Sequence, residues 1–249
     1  MDERPLRVFH ISDLHMRSVD GPQKDRARLE EPSRWRVLGD PWKRNLADLQ
    51  ADGTPVDLVV FTGDLADRGH ATDYSRAVAF LKETCATLGV PLDRLFLIPG
   101  NHDIDRSIQS VAWKRLRKTI RTKPIEHSRW MAGDSKTRRG NRRRDQIRDE
   151  IMERQRAFWE AVTMELGRPE LDPRRSPHGR LGYRQTVRLD GLAHPIHVIG
   201  LDTAWLAGDE HDGGELWLTE HQVALQTTEH GEPLPGFRIA LMHHGFADL

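Results

Sequence analysis

Four short stretches constrain this 249-residue chain more than anything else in it: Ser12-Asp13-Leu14-His15, Gly63-Asp64-Leu65-Ala66-Asp67, Gly100-Asn101-His102-Asp103 and Met242-His243-His244. Each follows or ends an apolar run, namely Leu6 to Ile11, Val56 to Phe61, Leu95 to Ile98 and Ile239 to Met242. The runs are short, rich in β-branched or aromatic residues and punctuated by Gly and Pro, which predicts buried strands. Carboxylate, imidazole and amide groups therefore converge at strand ends. Mixed N and O ligation without thiolate suits Mn, Fe, Zn or Mg better than a sulfur-seeking metal. In an extended Asp13-Leu14-His15 the two polar side chains project to one side, leaving Leu14 for the core. Asp64 is placed to bridge two cations, one oxygen for each, at the ~3.5–4 Å spacing of two-metal sites. Asn101 offers a neutral carbonyl oxygen, and His243 a neutral imidazole. Two dications would polarise a phosphoryl group and lower the pKa of a bridging water toward neutrality. The leaving oxygen still needs a proton. His102 is placed to supply it, with Asp103 the expected orienter of its ring and Asp67 behind a metal ligand.

In order and spacing these blocks resemble the calcineurin-like metallophosphoesterase superfamily, whose pattern is D-x-H, G-D-x-x-D, G-N-H-D/E, H, then G-H-x-H. The first four are present, from Asp13 to His243. The resemblance implies an α/β fold, a β-sandwich flanked by helices, with two divalent metal ions on Asp13, His15, Asp64, Asn101 and His243, and His102 catalytic. Gly200-Leu201-Asp202-Thr203, followed by Gly213-Gly214-Glu215-Leu216 and a helix, resembles the class III cyclic-nucleotide phosphodiesterase branch. Gly63 to Gly69 is also similar to the G-D-x-V-D-R-G of serine/threonine protein phosphatases. That family's other blocks are replaced here by Ser12-Asp13-Leu14-His15-Met16 and Pro99-Gly100-Asn101-His102-Asp103. After His243 comes only His244, and the sequence stops at Leu249 without a G-H-x-H. The resemblance therefore implies one domain over 1–249 that continues into a further C-terminal region. His211, His221 and His230 are the histidines that could stand in for the fifth block. The leading expectation is a metal-dependent phosphodiesterase acting on a phosphodiester, a cyclic nucleotide first. The alternatives are a DNA or RNA nuclease and a catalytically weak ligand-sensing or scaffold module of a larger protein.

Charge balances at 38 basic and 38 acidic residues, but unevenly: from Val111 to Arg144 thirteen Lys/Arg face only Glu126 and Asp134. This run lies in a charged, helix-prone segment, 106–175, expected to be a helical insertion or cap after the third motif. It is either a nucleic-acid surface over 111–144, with Trp113 and Trp130 available for base stacking, or a solvated helical face. Arg68 and Arg106, beside the motif loops, and His244 are the candidate substrate contacts. The single cysteine, Cys85, excludes an intramolecular disulfide. No apolar run approaches the ~20 residues of a membrane span, and the acidic N-terminus does not resemble a signal peptide. A cytoplasmic location without a membrane partner is expected. Helices are expected from Asp40 to Leu49, with Trp42, Leu46 and Leu49 on one face, from Thr72 to Gly89, and from Ile147 to Leu166. A Thr219/Gln222 capping box opens another, through Leu225.

Overall fold

The computed structural model describes residues 4–17, 39–53, 55–108, 110–133, 141–208 and 212–249. Strands β1 (Val8–Ile11), β2 (Leu58–Thr62) and β3 (Leu95–Ile98) form a parallel sheet in that order, with Val8 opposite Leu58 and Val59 opposite Leu95. β2 and β3 are buried at every position, which is why they read as unbroken apolar runs rather than as an alternation. Parallel neighbours require a crossover, and helices α1 (Asp40–Ala51) and α2 (Ala71–Leu88) provide it. α2 buries Tyr74, Ala77, Leu81 and Cys85 and ends at Gly89, whose φ of 67° makes the left-handed cap. α1 turns Leu46 inward and sets the Trp42 ring 5.9 Å from Phe9 and 5.5 Å from Phe80, whereas Leu49 is exposed.

The second sheet holds β4 (Gly182–Val187), β5 (Ile196–Leu201) and β8 (Phe237–Leu241). β5 is central, antiparallel to β4 and parallel to β8. Between β5 and β8 come helix α7 (Glu220–Thr227), opened by the Thr219/Gln222 capping box, and a hairpin of β6 (Thr228–Glu229) and β7 (Glu232–Pro233). One core joins the two sheets, bringing Tyr183, Ile196, Val198 and Leu241 against Leu58 to Phe61 and Leu95 to Ile98. Tyr183, fully buried, donates its hydroxyl across that core to the Leu97 carbonyl at 2.8 Å. Gly200 leaves it room, since a Cβ there would lie 2.6 Å from the tyrosine Cζ. The expected α/β sandwich with helical flanks is the fold observed.

From β3 to β4 the chain is helical: α3 (Val111–Thr119), α4 (Pro124–Ala132), α5 (Asn141–Met152) and α6 (Arg156–Glu160), the last running into a π-helical turn at Ala161–Glu165. The continuous helix expected from Ile147 to Leu166 is interrupted by a tighter turn at Glu153–Gln155. Its predicted face nonetheless holds: Ile151, Phe158, Val162 and Leu166 are all buried. α3, α4 and α5 rest on a second core that includes Ile104, Leu116, Met131, Ile151, Trp205 and Leu206, whereas α6 and the π-helical turn pack Phe158, Val162 and Leu166 into the first. Both tryptophans considered for base stacking are engaged in the second. Trp113 donates Nε1 to the Leu206 carbonyl (3.3 Å) with the Arg154 guanidinium 4.1 Å above its ring, and Trp130 is buried. Buried aromatic surface contributes more to holding these helices on the body than it would exposed to solvent. Among the described residues no helix is long and apolar enough to cross a membrane. Lys136, Arg138, Arg139 and the rest of the polar run at 134–140 lie outside the described residues.

Tyr183→Phe leaves the buried Leu97 carbonyl without this donor and is expected to cost about 1–3 kcal/mol. Urea unfolding should show a lower midpoint with an unchanged m-value.

Candidate metal centre

The first three motif loops leave the C-terminal ends of neighbouring parallel strands, where open α/β sheets place their sites. Their backbone departs from expectation. Asp13, His15 and Asp64 have φ of 59°, 47° and 60°, a left-handed region that costs a non-glycine residue on the order of 1–3 kcal/mol. Cross-loop hydrogen bonds hold them there: Asp13 N–H to Gly63 O (3.1 Å), His15 N–H to Asp64 O (2.9 Å) and Met16 N–H to Leu65 O (3.0 Å). Asp13 and His15 therefore converge through two left-handed turns rather than along an extended strand, while Leu14 is buried as expected.

The shared point is a single oxygen. Asp64 Oδ2 lies 3.5 Å from His15 Nε2 and 3.5 Å from His243 Nε2, while Asp64 Oδ1 accepts the His102 backbone N–H at 2.9 Å. Both imidazole nitrogens thus face the same Asp64 oxygen, while the other oxygen accepts a backbone N–H and keeps a lone pair for a further partner. Asp13 Oδ1 is 3.7 Å from His15 Nε2, and Asn101 Oδ1 is 3.1 Å from His243 Nε2. His243 Nδ1 donates to the Thr62 carbonyl at 2.8 Å, so in the neutral ring Nε2 is a bare acceptor. It faces the Asp64 and Asn101 oxygens, and Asp64 is buried. Lone pairs gathered this way repel one another unless a cation sits among them, and a buried carboxylate is costly unless paired or metal-bound. The residues present therefore fit a divalent cation.

Among the described residues two acid and imidazole groups have ligand atoms close enough to hold a metal: Asp13 with Asp64 and His243, and His15 with Asp67 and His102. Asp67 stands behind His15, with Oδ1 3.8 Å from His15 Nδ1 and Oδ2 accepting from Arg17 Nε at 2.6 Å. Two of the three stand-in histidines lie elsewhere. The His221 ring is fastened between Ser128 Oγ and Arg129 Nε, each at 3.0 Å, and His230 occupies the β6-β7 turn; His211 is outside the described residues.

His102 Nδ1 donates to the Asp67 backbone carbonyl at 2.8 Å, and its ring meets that of His15 edge to face at 4.5 Å. Asp103 does not orient it. Residues adjacent on a tight helical turn point apart, and the turn at Asn101–Asp103 sends Asp103 back into the protein. There its fully buried carboxylate accepts from the N–H groups of Leu65 (3.1 Å), Ala66 (2.8 Å) and Gly100 (3.0 Å) and from the Tyr74 hydroxyl (3.2 Å). Asp103 is therefore a strut between the second and third motif loops, and burial pushes its carboxyl up to about 6 despite those donors.

A cleft of about 220 Å³ opens beside the centre, lined by Asn101, His102, Arg106, Asp212, Leu216 and His244 among others. Two of the expected substrate contacts, Arg106 and His244, thus face it. Arg68 is not among the lining residues and lies against Asp67, with Nε 3.8 Å from Oδ2. Burial, reinforced by neighbouring His243, pushes the His244 ring down to about 4. Behind it, Thr203 Oγ1 is 2.9 Å from His244 Nδ1. Next to Thr203, the Asp202 carboxyl is buried and so pushed up to about 7, although the Ala204 N–H hydrogen-bonds it at 2.9 Å. Thr203 and Leu216 stand in the two blocks that resemble the cyclic-nucleotide phosphodiesterases, but their place beside the cleft, like that of Asp212, comes only from tertiary contacts.

The family model described as calcineurin-like phosphoesterase matches residues 6–211 of the chain. A cAMP/cGMP dual specificity phosphodiesterase of Mycobacterium tuberculosis (strain CDC 1551 / Oshkosh) is 31% identical over 96 residues, which are 39% of this chain and 26% of that protein. The match thus spans about a quarter of the relative's own length.

Asp202 holds its proton more tightly folded than unfolded, so its contribution to stability is largest below the ordinary value of 3.8 and is lost as pH rises to about 7. Thermal unfolding from pH 4 to 8 should show Asp202→Asn gaining stability relative to the parent chain as pH rises. A constant difference across that range would contradict the assignment.

Proposed function

The chain belongs to the calcineurin-like phosphoesterase family, and from that premise we propose that it is a metal-dependent phosphodiesterase whose substrate is a cyclic nucleotide. The observation that carries this reading is the meeting of His15, His243 and Asn101 around Asp64 at the mouth of a cleft that also holds His102 and Arg106. The substrate class rests on the relative, named as acting on cAMP and cGMP. We take residues 1–249 as one catalytic domain, with 106–175 its cap.

Asp13, His15 and Asp64 would hold one divalent cation, and Asp64, Asn101 and His243 a second; Mn, Fe, Zn and Mg all suit the donors. Such a pair supplies Lewis acidity and an activated water. The side chains do the rest. Arg106 at the cleft offsets the negative charge of the phosphodiester. Asp67 keeps the His15 ring set through its Nδ1 side. His102, its Nδ1–H committed to the Asp67 carbonyl, exchanges protons only at Nε2: as imidazolium it gives the Nε2 proton to the leaving oxygen and returns to the neutral ring. No observation favours the nuclease alternative, since Trp113 and Trp130 are packed against the body.

The test is Mn-dependent hydrolysis of cAMP and of bis(p-nitrophenyl) phosphate, read beside metal content. Asp64→Asn is expected to lose both bound metal and turnover. His102→Ala should keep its metal and lose about 10²–10⁴-fold in kcat, the usual worth of a positioned general acid. Full activity in either variant, or metal binding without turnover in the parent chain, would refute the proposal.

A further inference from the structure

We propose that Thr203 is a positioning residue that holds the His244 ring as an Nε2–H donor facing the phosphoryl oxygens of the substrate, an inference that rests on the phosphodiesterase reading above.

Thr203 is fully buried at the end of β5, and its hydroxyl makes two contacts among the described residues, both with His244. The first is fixed in direction: the His244 backbone N–H donates to Oγ1 at 3.2 Å. The second joins Oγ1 to His244 Nδ1 at 2.9 Å. A hydroxyl carries one proton and two acceptor lone pairs. Were Nδ1 the donor, Oγ1 would accept twice and its own proton would be buried without a partner, an arrangement folded proteins avoid because the lost hydrogen bond is not recovered. The threonine proton therefore goes to Nδ1, and the proton of the neutral ring sits on Nε2.

That nitrogen is free to serve a ligand. His244 lines the cleft with Asn101, His102 and Arg106, and no hydrogen-bond partner for Nε2 occurs among the described residues. The ring packs edge to face on His243 at 4.7 Å, so the donor is held beside a proposed metal ligand. It differs from His102 in kind. His102 delivers a proton, whereas a neutral Nε2–H held by a buried hydroxyl gives a hydrogen bond to a non-bridging phosphoryl oxygen and keeps its proton. The consequence is on substrate binding rather than on the pH course of proton transfer.

Two readouts test this on the full chain. In long-range proton–nitrogen spectra of metal-free protein labelled with ¹⁵N-histidine, at pH 7.5, His244 is expected as the Nε2–H tautomer. Thr203→Ser should preserve it and Thr203→Val should not; an Nδ1–H ring in the parent chain overturns the proposal. With Mn²⁺ and bis(p-nitrophenyl) phosphate, Thr203→Val and His244→Ala should each lower kcat/KM about tenfold, mainly through KM, as the loss of one hydrogen bond to a charged acceptor requires. Thr203→Ser should restore the value, and Thr203→Val added to His244→Ala should cost nothing more. Independent, additive losses would overturn the pairing. If the parent chain turns over no phosphodiester, the phosphodiesterase reading and the substrate-facing half of this inference fall together, and the tautomer spectrum still decides the part played by Thr203.

Discussion

A carboxylate buried among acceptors is the constraint on which this structure turns. Asp64 is taken out of water at the end of β2, with the ring nitrogens of His15 and His243 each 3.5 Å from one of its oxygens and the Asn101 oxygen on the far side of the His243 Nε2 contact. Among the described residues one backbone donor is aimed at it, the His102 N–H. A fold arranged for stability alone would pair such a group with a guanidinium or leave it at the surface. The strained backbone at Asp13, His15 and Asp64 belongs to the same arrangement. The sheet offsets the strain through the hydrogen bonds that lace the first motif loop to the second, and through Asp103, which braces the second against the third.

The helices between β3 and β4 are bound to this centre and not merely appended. Arg117 on α3 pairs with Asp212, a cleft residue, at 2.7 Å, and stands 5.4 Å from the Trp113 ring centroid on the same helix. Arg154, buried beside them, donates to the Ala207 carbonyl at 2.7 Å, and its backbone carbonyl accepts from Asp105, two residues beyond the third motif. Burial pushes its guanidinium down to about 10. The basic character of the segment is therefore partly spent inside the protein, tying these helices to the loop that lines the cleft.

Much of this was legible from the residues. Continuous apolar runs at 58–61 and 95–98 announced strands covered on both faces, and the capping box at Thr219 opened its helix where expected. Every proposed ligand lies in the motif loops, because ligand chemistry depends on residue type and order, both of which a sequence displays. The failures share one cause. The backbone sense at Asp13 and His15, the inward turn of Asp103 and the packing of Trp113 are all decided by contacts between segments far apart in the chain. Asp103 follows directly on His102, and that adjacency suggested partnership. A tight turn separates what the sequence places side by side.

Gly63 and Gly100 enter none of the chemistry, yet they define the space in which it happens. A Cβ at Gly63 would stand 2.5 Å from the His243 ring Cγ, and one at Gly100 would stand 2.5 Å from the Asp64 backbone nitrogen. At Gly63 the backbone adds its own objection, with a φ of 95°. The smallest possible lesion, one methyl group, at either position would displace the carboxylate or an imidazole without removing a single ligand. On the proposed function, a genetic screen for lost activity would return these two glycines beside the proposed metal ligands, and inherited variation there would be as harmful as the loss of one of those side chains.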